Sequence, residues 1–92
     1  MSLIKAETFA VATFGSTGHA MAAEQILIKA EIQHIVMPLP TAIRASCGLA
    51  IKTWLEDVPT CQDLFQKQQL EFQFYQGSKQ GKQERYEQMQ PN

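Results

Sequence analysis

Residues 8–31, TFAVATFGSTGHAMAAEQILIKAE, decide the architecture. The first seven are rich in β-formers and read as a strand from Thr8 to Phe14, which Gly15 breaks. Ser16 and Thr17 are N-cap residue types, and Ala20, Ala23, Leu27 and Ala30 then recur at helical spacing, so an amphipathic helix follows. A strand feeding directly into a helix predicts a mixed fold in which the helix packs back on a sheet.

Outward from this unit, residues 34–39 (HIVMPL) alternate, with Ile35, Met37 and Leu39 to one side. Pro38 and Pro40 suit an edge strand rather than a central one. Residues 40–46 (PTAIRAS) read as a connection and residues 49–54 (LAIKTW) as a further strand with Leu49, Ile51 and Thr53 facing together, which predicts a hairpin. Asp57 and Pro59 mark a second helix start, and Val58, Cys61, Leu64, Phe65 and Gln68 form its apolar stripe as far as about Gln69. Leu70, Phe72 and Phe74 alternate with Glu71 and Gln73, the clearest two-residue period in the chain and a final strand with one wet face. From Gly77 the chain turns polar and rich in Gln, which predicts a frayed or disordered tail. The expected organisation is one domain over residues 1–78 and a tail over residues 79–92.

The order strand, helix, strand, strand, helix, strand predicts an α+β, ferredoxin-like βαββαβ fold: a four-stranded antiparallel sheet in spatial order 4-1-3-2 with both helices on one face. The other face then needs a cover. Phe9, Phe14 and Trp54 are candidates to lie there against a second copy, so a homodimer is expected.

Composition narrows the function classes. A chain of 92 residues has one domain as its ceiling, and 45% apolar against 18% charged residues supports a buried core. Eight basic residues oppose nine acidic ones, a formal charge of -1, so no field gathers phosphate backbones or anionic lipid and nucleic acid is not an expected partner. No apolar run approaches the roughly 20 residues of a membrane helix and the first residues lack a signal-peptide layout, so the expectation is a cytoplasmic protein without membrane contact.

Cys47 and Cys61 are too few for a disulfide scaffold and fall in segments of different type, so both read as free thiols. Cys61 lies on the apolar stripe of the second helix and reads as a small hydrophobe. The cysteines and the two histidines, His19 and His34, show no metal-ligand spacing. FGSTGH lacks the Walker lysine and the third glycine of a dinucleotide fingerprint, although residues 15–18 can hold a small anion at the helix start. No metal or organic cofactor is expected.

In this topology the end of the first strand, the start of the first helix and the connection after the second strand lie at one end of the sheet. Residues 15–19 therefore approach residues 40–48, which sets Cys47 near the free N–H groups of a helix N-terminus, where a thiolate is stabilised. Ser16 and Thr17 stand at that helix start, Arg44 adds positive charge, Ser46 a hydroxyl, Gly48 an open approach to the backbone, and His19 a group able to carry a proton. Such a thiol accepts sulfur or selenium, or attacks an electrophile. The competing reading is that Cys47 fills space at a strand entry, with His19 an exposed first-turn residue and Arg44 simply solvated.

Phe14-Gly15-Ser16-Thr17, His19-Ala20 and Glu24, followed by Ser46-Cys47-Gly48-Leu49-Ala50-Ile51, resemble the selenium/sulfur carrier protein-like family of small bacterial proteins. The resemblance covers about residues 8–65. The chain departs from the family's pattern at Thr41, where a basic residue is expected, and at Arg44, where a small polar one is usual. What the resemblance implies is a carrier rather than an autonomous enzyme, whose Cys47 takes sulfur or selenium from a donor protein and passes it to an acceptor protein. The alternative is a dimeric binding or regulatory module that holds a small anion or metabolite between residues 15–19 and 41–48, with Cys47 only lining the pocket.

Overall fold

A computed structural model describes residues 2–90 of the chain; Met1, at the start of the expected domain, and Pro91 and Asn92, at the end of the expected tail, lie outside the described residues. The elements run β1 (Thr8–Phe14), α1 (Thr17–Lys29), β2 (His34–Pro38), β3 (Leu49–Thr53), α2 (Val58–Lys67), β4 (Phe72–Gln80) and β5 (Gln83–Gln88), with short 3-10 turns at Leu3–Lys5 and Leu55–Asp57. All neighbouring strands are antiparallel, in the order β2-β3-β1-β4-β5. The fold is thus α+β with two helices on a five-stranded sheet. β2 lies at an edge, which suits its terminal Pro38.

Each helix begins where its capping residues place it. Ser16 is extended, and its Oγ accepts the His19 N–H at 3.1 Å, so one of the unpaired donors of the first turn is satisfied. Asp57 precedes α2, and Pro59, in the first turn, has no N–H to leave unpaired. Both helices end through a residue in the left-handed region, Glu31 at φ 57° and Gln69 at φ 58°. The next N–H then returns to the last turn: Ile32 N–H donates to the Leu27 carbonyl at 3.0 Å and Leu70 N–H to the Phe65 carbonyl at 3.1 Å.

Alternation along the strands divides the core in two. Ala10, Ala12 and Phe14 of β1, Ile51 of β3 and Phe74 of β4 face the helices and meet Ala20, Ala23 and Leu27 of α1 and Val58, Cys61 and Phe65 of α2. The alanines on both sides let α1 sit close to the sheet. Phe65 is fully buried and packs edge-on against Phe14 and Phe72, with ring centroids 5.8 and 5.4 Å away.

The opposite face is covered by the chain itself. Leu3 and Ala6 from the N-terminal turn and Ile43 from the connection after β2 pack on Phe9, Val11 and Ala50. This corrects the expectation that Phe9, Phe14 and Trp54 share an open surface. Phe9 is 1% exposed under that cover, Phe14 is 2% exposed and faces the helices, and half-buried Trp54 donates its Nε1–H to Gln33 Oε1 at 2.8 Å. The reason is alternation: Phe9 and Phe14 are five residues apart on one strand and so point to opposite faces.

The expectation of four strands and a frayed tail is also corrected. β4 runs on to Gln80, and β5 returns along it from Gln88 opposite Tyr75 to Gln83 opposite Gln80. Gly81, at φ 63°, takes the first position of the two-residue turn, a conformation that favours glycine. Few apolar groups hold this hairpin: Tyr86 meets the Phe9 ring edge-on at 6.2 Å, and Met89 packs at the margin of the helix-side core. Met89 N–H donates to the Phe74 carbonyl at 2.8 Å.

Candidate functional site

The sheet end brings the start of α1 to the connection after β2. Gly15 N–H donates to the Glu71 carbonyl at 3.0 Å, which ties the turn before α1 to the entry of β4. Leu39 N–H donates to the Gly48 carbonyl at 2.9 Å and closes the base of the connection. Between these two anchors, Cys47 Sγ lies 3.6 Å from Thr17 Oγ1. Leu49 N–H points back to the same sulfur at 3.4 Å, an i to i+2 turn in which sulfur replaces the usual side-chain oxygen.

Cys47 is 2% exposed and belongs to the helix-side core. Its neighbours along the surface are open: Thr17, Ser46 and Gly48 are all exposed. The thiol therefore sits one side chain below the surface, beneath the first turn of α1. A shallow groove of about 230 Å³ lies beside its chain neighbour Ser46, lined by Thr13, Gly15, Ser46, Glu71 and Gln73 among others.

Of the residues expected around the thiol, Thr17 is in contact with it. Ser16 is engaged as the cap of α1. His19 turns to β4, where its Nδ1 accepts the Glu71 N–H at 2.9 Å; this bond assigns the ring proton to Nε2 and leaves Nδ1 occupied. Arg44 is exposed and makes no ion pair among the described residues. A Cβ built on Gly48 would meet open space. The Leu49 N–H and Glu71 were missed by sequence reasoning. The first follows from the i to i+2 geometry of any side-chain acceptor at a strand entry. Glu71 has no local signal, because it reaches the site only through the pairing of β1 with β4.

Cys61 differs. It is fully buried between α2 and the sheet, and burial first, then the Asp57 carboxylate, push its thiol from an ordinary 9.0 up to about 12, against a weaker opposing backbone hydrogen bond. A thiol held neutral in this way is a poor nucleophile. Both cysteines are free. No helix among the described residues is long and apolar enough to cross a membrane.

No curated protein and no solved structure matches the chain. A family model does match, over residues 9–76. That span holds all but the first residue of β1, then α1, β2, the connection with Cys47, β3, α2 and the first five residues of β4, and so frames the thiol. The chain therefore belongs to the family described as "Putative Se/S carrier protein-like".

Proposed function

We propose that the protein carries sulfur or selenium on Cys47. The observation that supports the reading is the meeting of three elements on one sulfur: the α1 start through Thr17 Oγ1, the β3 entry through the Leu49 N–H, and the connection that bears Cys47. The Leu49 N–H aimed at sulfur and the nearby start of α1 are groups that can hold a transferred sulfur at this position. In the transfer step the Cys47 thiolate attacks the outer sulfur of a protonated donor persulfide, the donor's S–S bond breaks, the donor cysteine leaves as its thiolate, and the proton stays on the transferred sulfur. Cys47 becomes the persulfide with no net oxidation or reduction. The family name supports sulfur or selenium as the cargo and donor and acceptor proteins as the partners. The order of the first four strands supports a ferredoxin-like frame with β5 appended.

Burial of the thiol favours a second reading, in which a small anion binds between residues 15–19 and 41–48, beside the groove at Ser46 and Gly15, and Cys47 takes no part in chemistry. Persulfide loading separates the two. With Cys61 replaced by alanine, intact mass after exposure to a persulfide donor is expected to show one added sulfur, lost in Cys47→Ser, and alkylation of Cys47 is expected to proceed at neutral pH. A Cys47 that neither alkylates nor gains mass in the folded protein rejects the carrier and leaves the binding module.

A further inference from the structure

The face of the sheet away from the helices carries two lysines where alternation calls for apolar side chains. Lys52 lies on β3 and is 7% exposed, and Lys79 is half-buried on β4. Both ammonium groups converge on one aromatic ring and one carbonyl. Lys52 Nζ stands 4.2 Å and Lys79 Nζ 6.0 Å from the Phe9 ring centroid, and both donate to the Ile4 carbonyl, at 3.5 and 3.4 Å. Neither makes an ion pair among the described residues. The carboxylate across from them, Glu84, accepts the Tyr86 hydroxyl at 2.5 Å. Two buried or half-buried cations that share one neutral acceptor and a ring face are short of negative charge. Burial, and then Lys79, hold the Lys52 pKa below its ordinary value, with Glu84 opposing.

These groups line a cavity. The sheet curls until its edge strands β2 and β5 face each other across a groove: Ile35 and Met37 from one side and Tyr86 from the other enclose about 200 Å³ over Phe9, Lys52 and Lys79. At roughly 30 Å³ for each water, the space equals six or seven waters. It is apolar along β2, cationic on its floor, and bounded by one negative charge.

We infer that this groove binds a small monocarboxylate with a compact apolar body, its carboxylate between Lys52 and Lys79 and its body against Ile35 and Met37. The cation pair supplies charge-assisted donors, one of them on the buried Lys52, and Glu84 disfavours a second negative charge on the ligand. The site lies on the opposite side of the sheet from Cys47 and does not depend on the carrier reading.

Isobutyrate is the probe, followed through the Met37 methyl signal in NMR titrations of the full chain. Saturable binding is expected for isobutyrate, with the isosteric neutral isobutyramide weaker by about tenfold or more, the loss of one charge-assisted hydrogen bond. Sulfate, a dianion without an apolar body, is expected to bind more weakly than isobutyrate. Lys52→Met, which keeps the packing and removes the charge, is expected to abolish saturation. Lys79→Gln, at a half-buried position, weakens binding by a similar factor and keeps the test open if Lys52→Met does not fold. Equal binding of acid and amide, equal or tighter binding of sulfate, no saturable shift, or an unaltered titration in Lys79→Gln each overturns the inference.

Discussion

Gly77 lies where the Phe9 ring presses against the backbone of β4: a Cβ built there would stand within the ring's own carbons, and Phe9 is held from its other sides by Lys52 and Tyr86. The strand cannot give way, and the ring can move only toward the cavity above it at the expense of its contacts with Lys52 and Tyr86, so Gly77→Ala is expected to destabilise the fold by about 1–3 kcal/mol. Thermal denaturation would show this as a lower Tm at unchanged strand content; an unchanged Tm would mean that the Phe9 ring rotates aside at no cost. Single residues also mark where the sequence is legible and where it is not. The approach of residues 15–19 to Cys47 follows from the order of elements. That Cys47 is covered, and that His19 is bound to Glu71 rather than to sulfur, depends on how closely the entry of β4 packs on the turn before α1. No pattern within either segment encodes that distance.

Among the elements, the two helix ends share a weakness. Glu31 and Gln69 adopt left-handed backbone, which crowds a Cβ and favours glycine. Gln69 is exposed, so Gln69→Gly is expected to relieve that crowding and raise stability by about 0.5–1 kcal/mol after the added freedom of the unfolded chain is set against it. A higher urea midpoint at an unchanged slope would bear this out, and a lower midpoint would show that the end of α2 is not strained. β1, α1 and β3 are legible because their side chains follow one period and one cap. β5 is not, because Glu84, Tyr86 and Gln88 on one side and Gln83, Arg85 and Glu87 on the other are almost all polar. A strand that is wet on both faces has no hydrophobic alternation to read. Its signal is instead the glycine of a two-residue turn, with Lys79 opposite Glu84 beyond it.

For the molecule as a whole, the neutral thiol of Cys61 makes stability depend on alkaline pH. Its folded value is about 12 against an ordinary 9.0, so the unfolded chain loses this proton first. Its contribution is fully present below about pH 9 and is lost progressively as pH rises toward about 12. Tyr86, pushed up by burial and by its bond to Glu84, acts in the same direction above its ordinary 10.0, whereas Lys52, pulled down, acts in the opposite one below 10.5. The difference between the native chain and Cys61→Ala cancels both. Urea midpoints taken from about pH 8 to about pH 11 are expected to fall more steeply in the native chain than in the variant. Parallel curves would mean that the Cys61 thiol reaches water in the folded state.

The placement of β1 bears on how the chain is made. This central strand is made before both of its neighbours in the sheet, β3 and β4, and Lys79 reaches back to Ile4 across a separation of 75 residues. During synthesis Phe9 and Val11 leave the ribosome long before the strands that flank them, and Leu3 and Ala6 emerge as a lid with nothing yet to close on. Contacts this distant in sequence form late and slowly. The nascent chain therefore carries an apolar, unpaired strand until β3 and β4 have followed it, and the sheet closes around β1 only once β4 is free.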